Sequence, residues 1–354
     1  MIPSFTRATA AGFMLMALAS GVAAQERAFD FALIGDMPYT KVQETEYQRV
    51  LAALNGADLA FVAHIGDFQF DATPYNRNPA LASMPCVEEN YKAVYDSFQN
   101  IRHPFILTPG DNDWSDCWPL EAKKVDPIEL LAKLRTMFFP EGRSLGQKPM
   151  VVRNQSADPN FAKFRENLRW SIGGVTFVTV HIVGENDNFG RSPEMDAEQL
   201  ERKAANIAWL KQAFADAKAA DSLGVVILTQ ANPGFESFWP ESAKTRYFLR
   251  FVPRGQPVPS RALAFGDYIQ TLSEELESYD RPVAFLHGDT HIFRIDKPLY
   301  SKKTNRLFEN FTRVETFGWP DSHWVRISVD ATDPQLFRFK PEIVPENVVN
   351  RRAN

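Results

Sequence analysis

Short apolar runs, several closed by glycine, alternate along the chain with stretches whose apolar residues recur at helical spacing, the signature of α/β organisation. The runs at 29–34, 59–65 and 105–107 read as buried strands. Helical sequence around 45–54 and 90–100 lies between them, so the first third predicts βαβαβ. A helix over 127–138 leads to a hairpin with strands at 168–172 and 175–183, turning at Gly173-Gly174. Across 196–219, Leu200, Ile207, Leu210 and Phe214 recur at helical spacing behind Asp196 as a candidate N-cap, and the segment feeds a strand at 225–228. A helix around 268–279 and strands near 283–286, 293–295, 313–316, 324–329 and 336–339 follow. The pattern predicts two packed sheets with helices outside. Two stretches, 114–167 apart from the helix within it and 234–261, resist assignment and read as functional insertions. The polar end, 341–354, reads as a peripheral tail.

Composition changes this picture mainly at the start of the chain. The 354 residues are 44% hydrophobic and 23% charged, ordinary values for a globular protein. Within 1–24, however, Arg7 is the only charged residue, an apolar core spans 11–19, and Val22-Ala23-Ala24 offers small residues before a cut. These are the marks of an export signal cleaved after Ala24, leaving 25–340 as a single secreted or periplasmic domain. No later apolar run approaches the roughly 20 residues of a membrane span. Loss of Arg7 takes the formal charge from -5 to -6, which favours neither nucleic acid nor an anionic membrane as partner. The two cysteines, Cys86 and Cys117, fall in loop-like sequence. In an exported chain they predict a disulfide closing a loop of about 32 residues, which would clamp two of the strand-end loops together.

Candidate chemistry stands at the ends of the predicted strands. Gly35-Asp36, Gly66-Asp67, Gly110-Asp111 and Gly288-Asp289 each follow an apolar run, whereas a fifth copy, Gly266-Asp267, follows none. Gly-Asp is a common turn. Four copies beyond strand ends, where open α/β sheets bind ligands, instead predict one oxygen-rich site. Four acids gathered there would repel one another unless cations compensate them, so a divalent metal centre is the simplest explanation.

The series GDMPY (35–39), GDFQF (66–70), PGDND (109–113), a polar Gln230 after a strand, and HGDTH (287–291) resembles the calcineurin-like metallophosphoesterases, which include the purple acid phosphatases. The resemblance covers roughly 29–330 and implies a four-layer α/β/β/α sandwich with two mixed sheets and a dinuclear site. It would put Asp36, Asp67 and His291 around one ion and Asp67, Asp111, Gln230 and Asp289 around the other, with Asp67 as bridge. The departures from the family pattern are specific. Pro38 stands where many members have a histidine ligand, and Asp111 takes the usual asparagine position. Asn112 takes that of a phosphate-contacting histidine, Gln230 that of a lone histidine, and Asp289 that of the first histidine in Gly-His-x-His. Replacing nitrogen by oxygen ligands favours Mn²⁺, Mg²⁺ or Ca²⁺ over zinc or iron.

These features imply an exported phosphoesterase in which metal-activated water attacks a phosphate monoester or diester of a small molecule. The alternative, motivated by the same departures, is a metal-stabilised binding protein of this fold without turnover. Asn112 can hydrogen-bond to phosphate but cannot act as a general acid. The proton donor is therefore sought among His181, His287 and His64, each of which also reads as a buried, hydrogen-bonded histidine. His181 is preferred because the polar loop Glu185-Asn186-Asp187-Asn188 follows it. Asp113 would orient Asn112 or the backbone, and Tyr39 could reach the site as phenolate or hydrogen-bond donor. The insertion 234–261 carries Lys244, Arg246, Arg250, Arg254 and Arg261 among aromatic residues, against Glu236 and Glu241. It reads either as a lid whose Arg246, Arg250 and Arg254 meet an anionic substrate or as a solvated basic loop.

Overall fold

A computed structural model describes residues 28–70, 86–117, 126–240, 243 and 262–348. The expected leader, most of the basic insertion and the end of the chain lie outside these residues, and with them Lys244, Arg246, Arg250, Arg254 and Arg261. Two sheets form. The first has the order β12-β11-β1-β2-β3 and the second β4-β5-β6-β7-β8-β10-β9.

In the first sheet, β1 (Phe29–Ile34) runs parallel to β2 (Val62–His64), which runs parallel to β3 (Phe105–Leu107). On its other side β1 pairs antiparallel with β11 (Trp324–Val329), and β11 with β12 (Phe337–Glu342). The second sheet has a parallel centre of β6 (Val175–Thr179), β7 (Gly224–Leu228), β8 (Val283–His287) and β10 (Phe311–Glu315). Its antiparallel margins are β4 (Arg153–Asn154) and β5 (Leu168–Ile172) at one edge and β9 (Arg294–Asp296) at the other. Both sheets are mixed, as expected.

The strands β3, β7 and β8 are buried along their whole length, which is why they read as near-continuous apolar runs rather than alternating ones. Between the sheets, Phe31 of β1 stacks on Phe61 at 4.6 Å and meets Phe177 of β6 edge-on at 5.5 Å. On the outer side of the first sheet lie α1 (Lys41–Gly56), α2 (Glu88–Gln99) and α3 (Pro127–Phe138), whose Val50, Leu54, Phe98 and Leu131 join the same core. After the short turn α4 (Gly184–Asp187), α5 (Pro193–Ala219) and α6 (Ala262–Leu276) cover the second sheet through Trp209, Leu210, Phe214, Ile269 and Leu272. The result is the α/β/β/α layering.

Differences from the sequence reading have local causes. The helix expected from Asp196 begins at Pro193, because the Ser192 side chain accepts from the Met195 N–H and Pro supplies the first turn. The expected strand 59–65 is regular over three residues only, although the Ala60 and Ile65 N–H groups still donate to the carbonyls of Asp30 and Ile34 in β1. The stretch 114–167, read as an insertion, contributes to the core where it is described: α3 packs on Phe68 and Phe98 through Phe138, and β4 extends the second sheet. Nor is the start of the expected tail peripheral. Val344 is buried, Arg49 donates to the Glu346 carbonyl, and Asn347 donates to the carbonyls of Glu46 and Ser322. Cys86 and Cys117 form the expected disulfide, with Cα atoms 5.8 Å apart.

Candidate functional site

Each Gly-Asp corner lies just beyond the carboxyl end of a parallel strand: Asp36 after β1, Asp67 after β2, Asp111 after β3 and Asp289 after β8. Gln230 follows β7 in the same way, so both sheets supply the site. Asp36, Asp67, Asp289 and His291 have φ of 53°, 56°, 79° and 59°. Left-handed backbone is costly for residues other than glycine and persists where the surroundings over-determine it, typically at functional positions.

The preceding glycines are required by close approach, and Gly66 also by its own φ of 91°. A Cβ on Gly110 would collide with Asp67 Oδ1, and one on Gly288 with Asp36 Oδ2. A Cβ on Gly184 would lie 2.8 Å from Asp111 Oδ2 and 2.9 Å from Asp289 Oδ1, which brings those two acids to the same spot on the chain. The Asp289 N–H donates to Asp36 Oδ1 at 3.1 Å, and His291 Nε2 stands 3.7 Å from the same oxygen. The four aspartates and His291 therefore form one connected corner.

Asp67 lies at its centre. Its Oδ2 accepts from the Tyr39 hydroxyl at 3.0 Å, from Gln230 Nε2 at 3.0 Å and from Asn112 Nδ2 at 3.3 Å, while Oδ1 accepts from the Asn112 N–H at 3.2 Å. Gln230 thus presents its nitrogen to Asp67, because a carboxylate attracts donors. Its oxygen, the atom expected to ligate, accepts from the Gly184 N–H at 2.7 Å. Asn112 is likewise engaged by Asp67. Asp113 holds the loop from beneath, accepting the N–H groups of Gly110, Asp67 and Phe68 at 2.8, 3.0 and 2.9 Å, so that it orients backbone as expected.

Electrostatics follow from this crowding. Burial, then the charges of Asp111 and Asp36, hold Asp67 well above the usual carboxylate range. Burial does the same to Asp36, where the Asp289 N–H opposes it and the charges of Asp289, Glu315 and Asp113 reinforce it. Asp111 is raised by burial and by Asp116 and Asp289, with Arg191 acting against them. Burial pushes Asp113 up to about 7. Tyr39 is raised too, by burial and then by the Asp67 charge, and so stays a phenol that donates.

Among the described residues, no three Asp, Glu, His or Cys side chains are gathered as a ready-made ligand set for an ion. The donor chemistry nevertheless fits hard divalent cations. Asp36 Oδ2 is buried without a hydrogen-bond partner among the described residues, and the mutually raised carboxylates would each be relieved by positive charge.

The candidate proton donors lie deeper. His181 is fully enclosed, with Nδ1 2.9 Å from Glu166 Oε1, its ring against Trp114, and Nε2 without a partner among the described residues. Burial first, then neighbouring groups of mixed sign, bring it down to about 4, so it is neutral near pH 7. His64 accepts from the Gly66 N–H and burial lowers it to about 3, while His287 is buried against the Gly288 carbonyl. Two further features border the site. One is the enclosed ionic group in which Arg135 grips Glu166 and Arg202 grips Asp187. The other is the left-handed run Glu185–Asn188, with φ from 47° to 64°, which follows Gly184 at the edge of the acid corner.

No family model and no curated protein matches this chain. Among solved structures, the chain is similar to one titled "Structure of PhoD", with a TM-score of 0.52 and 13% identity over 87% of this chain and 65% of that one. A looser likeness, TM-score 0.42 at 12% identity over 89% of this chain, is to a 5'-nucleotidase from Candida albicans. This chain spans 52% of the length of the latter, so in both comparisons it covers less than two thirds of its neighbour. The likeness to the first of these is one of fold: two mixed sheets with helices outside, the layering that the motif series implies.

Proposed function

We propose that this chain is an exported, metal-dependent phosphoesterase acting on a small phosphate monoester or diester. The observation that carries this reading is the convergence of Asp36, Asp67, Asp111 and Asp289 at strand ends of two sheets, with a buried Asp36 oxygen left without a partner. Asp36, Asp67 and His291 would hold one ion, and Asp67, Asp111, Gln230 and Asp289 a second, the Gln230 amide turning its oxygen inward. When bound, such ions supply charge compensation for a phosphoryl group and lower the pKa of water. The oxygen-rich donor set favours Mn²⁺, Mg²⁺ or Ca²⁺.

The remaining work falls to this chain's own residues. Asp113 fixes the backbone on which Asp67 and Asn112 stand. Asn112 offers an amide for a phosphate oxygen once Asp67 no longer holds it. Tyr39 keeps its proton between Asp67 and His291 and is better placed to donate it than the enclosed His181. The basic insertion would meet the anionic substrate through Arg246, Arg250 and Arg254.

Metal analysis of purified protein, followed by turnover of a phosphomonoester and a phosphodiester with added Mg²⁺, Mn²⁺, Ca²⁺ or Zn²⁺, tests the reading. Activity should require an ion and fall at least a hundredfold in Asp67→Asn, the loss expected when a directly catalytic group is removed. Stoichiometric metal without turnover would leave the binding-protein alternative. Activity indifferent to Asp67→Asn would remove the assigned site.

A further inference from the structure

A row of rings leads out from Asp67. Phe70 stacks on Tyr39 at 5.2 Å and 26°, Tyr39 meets the His291 ring at 5.2 Å and 70°, and His291 meets Trp319 at 6.5 Å and 78°. The inner members are buried or half-buried, but the Trp319 side of the row opens to solvent. Trp319 is 42% exposed, and Ile292, which follows His291 in the chain, is 61% exposed. Large apolar side chains standing open at the mouth of a polar site are the informative kind of exposure.

The exposed indole is also held in place. Its N–H main-chain group donates to the Asp36 carbonyl at 3.0 Å, and Gly318 before it lies so close to the corner that a Cβ would come within 2.6 Å of Asp36 Cβ and 2.9 Å of the His291 ring. Behind, Phe293 and Phe317 stack at 4.7 Å and 8°, pinning the segment carrying His291 and Ile292 to the segment carrying Trp319. The Ile292 N–H donates to Glu315 and the Asp321 N–H to the Gly318 carbonyl. A loop fixed this tightly could have folded its indole inward; instead it presents the ring beside the acids. Pre-ordered aromatic surface next to a polar reaction centre binds planar groups at little entropic cost.

We infer that Trp319 forms a stacking subsite for an aromatic or heteroaromatic group on the organic part of the substrate, while the phosphoryl group occupies the aspartate corner. The inference rests on the proposed phosphoesterase reading for its catalytic test and is separable from it by binding. The site would then prefer aryl-bearing organophosphates over purely aliphatic ones.

The experiment compares 2-phenylethyl phosphate and adenosine 5'-monophosphate with glycerol 3-phosphate. All three leave as primary alcohols, so leaving-group chemistry is matched and the ring is the variable. Wild type should favour the two aromatic esters in kcat/KM, mainly through KM. In Trp319→Ala that preference should shrink about tenfold, within the range for loss of one stacked ring, and Trp319→Phe should restore most of it. Titrating the same compounds against intrinsic fluorescence gives a second readout: quenching by the aromatic esters, lost in Trp319→Ala. Quenching without turnover would keep the subsite and sink the hydrolase. Turnover with no aromatic preference, or an equal fall for all three esters in Trp319→Ala, would overturn the subsite. A preference confined to the nucleotide would identify the class as nucleobase-bearing.

Discussion

Tyr39 shows how much a single side chain can decide. It comes from the first corner, yet its hydroxyl reaches the second corner at Asp67, 3.0 Å away, and the fourth at His291, 3.3 Å away. The ring is buried against Phe70, and burial with the nearby Asp67 charge keeps the phenol protonated through the neutral range. A protonated hydroxyl in that position can hand a proton to a departing alcohol, the step Asn112 cannot perform. Tyr39→Phe removes only the oxygen and preserves the ring packing. It should lower kcat about a hundredfold on esters of alkyl alcohols, and much less on esters of acidic phenols, which leave without a proton. Steady-state assays on the two ester types check this. Equal losses on both would mean that the hydroxyl positions Asp67 rather than donating a proton.

At the scale of elements, the site depends on how β6, α3 and α5 are tied behind it. Glu166 stands just before β5, fully enclosed, and receives Nε and Nη2 along one guanidinium edge of Arg135 of α3 as well as Nδ1 of His181 beyond β6. Burial would raise this carboxyl, but the Arg135 charge and His181 overcome it and hold it well below the usual range. A lowered acid contributes stability above its unfolded value, near 4.3, and loses it as pH falls through the folded value. Glu166→Gln should therefore cost about 3 to 5 kcal/mol at pH 7, since it leaves a buried guanidinium undercompensated, with the partial help of Glu198 at 3.8 Å pulling toward the lower figure. Urea unfolding should show that gap at pH 7 and a narrower one near pH 3; coincident curves at pH 7 would refute it. None of this group was legible in the sequence, because its members are distant in the chain and no periodicity links Arg135 to Glu166 or Arg202 to Asp187. What was legible followed local rules. The strands β1 and β3, the alternating strand β11 and the helix α3 emerged where a short apolar-rich run, a period-two pattern or a Pro-led amphipathic stretch had one reading. The Gly-Asp corners were visible because the close approach that demands glycine and the acid beside it sit in one dipeptide. Trp319 was invisible for the opposite reason: its place beside His291 is made by two loops separate in the chain, joined in part through Phe293 and Phe317.

For the whole molecule, the consequence is that the candidate site joins the two sheets. Asp36, Asp67 and Asp111 extend from the first sheet, Gln230 and Asp289 from the second, and the bonds from Gln230 to Asp67 and from the Asp289 N–H to Asp36 cross between them. Repulsion among the acids therefore pushes the sheets apart, and a bound cation would draw them together. The sign can be worked out for Asp36, whose folded pKa is raised by burial and then, against the Asp289 N–H, by the charges of Asp289, Glu315 and Asp113. A raised acid gives stability that is full below its unfolded value, near 3.9, and is lost as pH climbs through the folded value. Asp36→Asn keeps an oxygen to accept from Asp289 and removes the charge. In a chelator, the melting temperature of this variant should gain on wild type as pH rises from about 4 toward 8. Divalent ions should reverse the order: a ligand at a hundred times its Kd adds about 2.7 kcal/mol to the state that binds it, and wild type should take that increment while the variant takes little. Thermal melts of both proteins with chelator and with Mn²⁺, across that pH range, provide the measurement. Parallel pH profiles in chelator would mean that Asp36 carries no strained charge, and equal shifts with Mn²⁺ would place the ion somewhere other than between the sheets.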